Sequence, residues 1–133
     1  MMDAVITAGT RLAEALRAEN EALAALDLGR AAGLATAKMQ ASDAFAAATA
    51  AATRLGARAV GEERATTAEL AGRLQCLGAE NRKLLEHAIA LQSRVIETIA
   101  GAALPRAAAP GYGAQGLMRR LRQTPALALS ARA

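Results

Sequence analysis

Large aliphatic residues recur at intervals of 4, 3, 7, 7 and 4 between Leu70 and Val95: Leu70, Leu74, Leu77, Leu84, Leu91 and Val95. They fall on alternating a and d positions of a heptad pattern, and Asn81 and Ala88 take the remaining a sites. This spacing puts the side chains on one face of an α-helix and presents them sideways to another helix. The chain must therefore contain a long packing helix, expected over residues 62 to 103. Thr66 and Glu69 have the spacing of a capping box, while Gly61-Glu62-Glu63 offers a start about a turn earlier.

Its partners have to come from upstream. Leu12, Leu16, Leu23 and Leu26 recur at intervals of 4, 7 and 3 and predict a helix over residues 3 to 27. Asp27 is placed to cap the next helix, and Gly29 and Gly33 mark a turn or kink that favours an antiparallel neighbour. A second helix, residues 28 to 58, carries Leu34, Met39, Phe45 and Leu55 over an alanine-rich surface, with Gly56 and Gly61 at its end. A sheet is excluded because the chain holds three Val, four Ile and two aromatic residues, Phe45 and Tyr112. The expected fold is all-α. It is an antiparallel bundle of three long helices with coiled-coil-like packing over residues 1 to 104, followed by a flexible basic tail over residues 105 to 133. Pro105, Pro110 and Pro125, with Gly111, Gly113 and Gly116, argue for that tail.

Alanine occupies 39 of the 133 positions, and residues 3 to 104 contain only 23 Leu, Ile, Val, Met and Phe, which is thin for a free-standing globule. Such a bundle gains stability from a partner that covers its remaining apolar surface. The best candidate surface lies late in the third helix, where Leu85, Ile89, Ile96 and Ile99 widen the stripe beside the a/d seam. The full face is Leu84, Leu85, Ala88, Ile89, Leu91, Gln92, Val95, Ile96 and Ile99. It is either core shared with two other helices or a groove for a partner's helix, and the shortage of large residues upstream favours the groove. Asn81 either fixes register and partner orientation from a buried a position or lies partly exposed near an open end.

The formal net charge of +4 suggests nucleic acid until it is placed along the chain. Residues 1 to 104 hold 11 basic and 12 acidic side chains, so the helical body is slightly acidic. All the excess lies in Arg106, Arg119, Arg120, Arg122 and Arg132, which can neutralise only a few phosphates and bind without sequence preference. No specific nucleic-acid partner is expected, although a helical scaffold or DNA-associated protein with a basic tail is the alternative. Catalysis and metal binding have little to work with: His87 and Cys76 are the only residues of their kinds, eleven positions apart, and no nucleophile has an activating context. No enzyme activity and no cofactor are expected. A lone cysteine suits a reducing compartment, no secretory signal opens the chain, and the uncharged run around Ala44 to Thr53 is half the ~20 residues that a membrane span requires. A cytoplasmic protein without a transmembrane segment is expected.

Three stretches together resemble the FlgN-type flagellar export chaperones, helpers of the hook-filament junction proteins. Ala79-Glu80-Asn81-Arg82-Lys83-Leu84-Leu85-Glu86-His87-Ala88 is similar to the Asn-x-x-Leu-Leu-Glu run of that family's last long helix. Glu21-Ala22-Leu23 leading into Asp27-Leu28, followed by Lys38, resembles its first helical turn-back. Tyr112-Gly113-Ala114-Gln115-Gly116 resembles its Tyr-x-Ala-x-Gly tail motif. The resemblance covers most of residues 12 to 116 and departs from the family at Ala44 to Thr53, where alanines replace a leucine-richer pattern. It implies a non-enzymatic chaperone, monomeric or weakly dimeric, that binds the C-terminal helices of hook-associated proteins, prevents their premature assembly and delivers them to the export gate. By that resemblance Asn81 and the face from Leu84 to Ile99 hold the client, and Tyr112 docks on the cytoplasmic domain of the gate.

Overall fold

A computed structural model describes residues 1–103. Three α-helices follow one another, α1 (Met2–Ala24), α2 (Leu28–Arg54) and α3 (Glu62–Ala103), with no strand among the described residues. The chain divides into two compact units, Met1–Ala90, which contains a helical bundle, and Leu91–Ala133, whose described part is the end of α3. The tail expected over residues 105 to 133, with Tyr112, lies outside the described residues.

Local chemistry sets where each helix stops. The first ends at Ala24, three residues before the expected Asp27, because Leu26 takes a left-handed conformation with φ 56°. Its N–H then donates to the Leu23 carbonyl and that of Asp27 to the Ala22 carbonyl, which closes the helix as a Schellman motif. Asp27 serves the next helix: its carboxylate accepts from the Arg30 N–H at 3.1 Å and caps α2. The turn is thus complete before Gly29, and α2 runs through Gly29 and Gly33 without the expected break.

At the far end α2 stops at Arg54 rather than near residue 58, because Gly56, at φ 65°, repeats the same closure with Thr53 and Ala52. The last helix begins at Glu62, directly after Gly61 at φ 59°, and two acidic residues occupy its positive N-terminal turn. Thr66 is therefore interior to the helix and donates to the Glu62 carbonyl instead of capping.

The core is made chiefly of small residues. Five of the eight buried apolar side chains among the described residues are alanines: Ala13, Ala22, Ala31, Ala52 and Ala88, beside Val5, Leu16 and Leu23. Alanine lets helices approach closely but removes little apolar area from water per residue. Gly9 marks the tightest approach, since a Cβ there would lie 2.7 Å from Leu70 Cδ2 and 3.1 Å from Phe45 Cε2. At the other end of the bundle Ala22, Leu23, Ala31 and Ala88 form one cluster, with Leu28, Leu34, Leu84 and Leu85 packed on it.

Candidate functional site

The heptad position of Asn81 points its side chain at α1, and there it enters a buried polar cluster. The Asn81 amide donates to Glu19 Oε1 at 2.8 Å and to Asn20 Oδ1 at 2.9 Å. Asn20 in turn donates to the Leu77 carbonyl at 3.2 Å. From α2, Lys38 Nζ donates to Glu19 Oε1 at 2.9 Å and to Asn81 Oδ1 at 3.4 Å. Glu19 is 1% exposed, Asn20 4% and Asn81 6%, while the Lys38 side chain keeps 21% of its surface. One acceptor is left over, as Glu19 Oε2 is buried without a hydrogen-bond partner.

Asn81 therefore turns toward its own chain, satisfied by three partners from two helices. Glu19 and Lys38 had no part in the site read from sequence. The available signal was Glu19-Asn20 interrupting the α1 stripe between Leu16 and Leu23, where a carboxylate is ordinarily assigned to solvent.

The remaining residues of the expected client face divide by burial. Ala88 is buried in the apolar cluster, Leu84 and Leu85 are half-buried against it, and Ile89 is 62% exposed. In the second unit Leu91 is half-buried and Gln92 exposed, and Val95, Ile96 and Ile99 keep 57%, 40% and 64% of their surface. Three large aliphatic side chains of the second unit, Val95, Ile96 and Ile99, are thus left in water. A helix accepts that at a measurable cost, so it marks a surface suited to an amphipathic partner.

Other features carry less chemistry. An open depression beside the first half of α1 is lined by Asp3, Ala4, Thr7, Ala8, Arg11, Ala41 and Ala44. Cys76 and His87 are exposed. Among the described residues no group of three or more His, Cys, Asp and Glu is placed to hold a metal ion, and no helix is long and apolar enough to cross a membrane. No family model matches the chain, and no curated protein or solved structure matches it.

Proposed function

We propose that this chain is a cytoplasmic, non-enzymatic flagellar export chaperone of the FlgN type. It binds the C-terminal helical segment of hook-associated proteins, keeps them from premature assembly and delivers them to the export gate. The observation that carries the reading is the exposure of Val95, Ile96 and Ile99 on the last turns of α3, with half-buried Leu91 and exposed Gln92 in the same register. Aliphatic side chains at helical spacing are what a client's amphipathic helix needs for its own apolar stripe. In the first unit Ile89 offers a further exposed contact and half-buried Leu84 and Leu85 a partial one, whereas Asn81 and Ala88 are turned into the bundle.

The finer arrangement we propose is an antiparallel bundle with coiled-coil-like packing. The proximity of Gly9 to Phe45, of Glu19 to Lys38 and of Leu23 to Ala31 supports opposite directions for α1 and α2. The heptad spacing of Leu70, Leu74, Leu77, Asn81 and Leu84 supports the packing mode. Tyr112 is proposed to dock on the cytoplasmic domain of the gate, separately from the client.

The test is co-elution of the full chain with the C-terminal helices of hook-associated proteins on size exclusion. Ile96→Glu and Ile99→Glu are the informative variants, because both side chains are exposed and their loss leaves the bundle core untouched. Leu84→Glu is expected to abolish binding as well, but it also injures the cluster that Leu84 packs on. Complex formation that survives Ile96→Glu and Ile99→Glu together removes this face from the proposal.

A further inference from the structure

We propose that the buried cluster of Glu19, Asn20, Lys38 and Asn81 is a pairing lock. It commits the leucine seam of α3 to α1 and α2 of its own chain and bars the same seam from pairing with a second copy. This inference is independent of what the distal turns of α3 bind.

The seam needs such a device. Leu70, Leu74, Leu77 and Leu84 present a heptad stripe that suits almost any partner helix, including another α3. The intramolecular partners are mostly alanines, so shape and apolar area alone discriminate weakly between the correct packing and self-association. Asn81, in the middle of the stripe, breaks that indifference. Both acceptors of its amide, Glu19 Oε1 and Asn20 Oδ1, stand on α1, and the donor to its carbonyl oxygen is Lys38 on α2. An Asn81 pair across two copies of α3 recovers at most an amide-to-amide bond, and leaves Glu19, Asn20 and Lys38 without the hydrogen bonds they share with α3.

The cluster also looks costly in stability terms, as a specificity device should. Glu19 Oε2 is buried with no partner, and a buried ion pair is commonly no better for stability than apolar residues of the same volume. A single polar a-position residue that selects register and partner number at a cost in stability is the best-attested use of such a group.

The test compares the full chain with its quadruple variant Glu19→Leu, Asn20→Leu, Lys38→Met, Asn81→Leu. Light scattering over a concentration series reads the mass, urea unfolding the stability, and the distance between spin labels on exposed Cys76 of α3 the approach of two third helices. The expected result is a single-chain mass for the wild type. The variant should unfold at equal or higher urea, approach twice the monomer mass as concentration rises, and show a label-to-label distance across two chains that the wild type lacks. A variant that stays monomeric with one set of well-dispersed amide resonances overturns the lock, and so does a wild type that already self-associates through α3. Should the quadruple variant not fold, Asn20→Leu with Asn81→Leu, which keeps the Glu19 to Lys38 pair, decides the matter by the same mass and distance readings.

Discussion

Replacing Lys38 by methionine removes the one cation among the described residues that reaches the Glu19 carboxylate and keeps most of the aliphatic stem. Glu19 is 1% exposed and its Oε2 has no partner, so the variant holds a buried charge supported by a single neutral donor, the Asn81 amide at 2.8 Å. Removing one member of a buried pair ordinarily costs about 3–5 kcal/mol. Two features lower that figure here: Asn81 remains, and the Lys38 side chain is 21% exposed, so water enters where the ammonium stood. A loss of about 2–3 kcal/mol is expected, a large share of the stability of a small domain. In urea unfolding followed by circular dichroism at the helical band, it appears as a midpoint lowered by about 1–2 M at unchanged slope. The same change in a Glu19→Gln background should cost far less, and the difference between the two costs is the coupling energy of the pair. A loss below about 0.5 kcal/mol in the Glu19 background refutes the reasoning, because that is the behaviour of a solvated surface pair.

Leu26 holds a left-handed backbone at φ 56°, which a Cβ disfavours, so Leu26→Gly should exceed Leu26→Ala in stability by about 1 kcal/mol, read as a higher melting temperature. Asp27→Ala removes the cap on the Arg30 N–H and should cost about 1 kcal/mol by urea unfolding, with Asp27→Asn retaining most of it. Gly9→Val forces side-chain carbon into Leu70 and Phe45 and should destabilise by about 1–3 kcal/mol, whereas the same substitution at Gly72, which has open space, should not show that packing penalty. Tyr112→Ala should leave client co-elution intact while reducing export. Loss of client binding instead would remove the proposed division of labour.

Long-range spacing made the helices legible. The recurrence from Leu70 to Val95 fixes α3 because a heptad stripe has only one regular structure that gathers it, and the Leu12, Leu16 and Leu23 spacing does the same for α1. The ends were less legible, for reasons visible in the turns. Glycine at 29 and 33 suggested a break, yet the actual turn is closed by Leu26, a residue whose left-handed backbone no propensity rule anticipates. Thr66 had the right spacing for a cap, but Gly61 and the Glu62-Glu63 pair begin the helix first. Within the site, the heptad register singled out Asn81, while its partners were not assigned to it. A carboxylate and a lysine on two different helices are surface residues by every local criterion, and only the packing of α1, α2 and α3 brings them to one point.

The proposal that this chain holds a client helix on the exposed turns of α3 is tested most directly by titrating a labelled C-terminal helical peptide of a hook-associated protein into the full chain, and into Ile96→Glu, by fluorescence anisotropy. Saturable binding is expected for the wild type. Placing a carboxylate against the peptide's apolar stripe costs about 2 kcal/mol or more, which is a weakening of about 30-fold or beyond. Absence of saturable binding by the wild type, or equal affinity in the variant whose circular dichroism matches the wild type, contradicts the assignment.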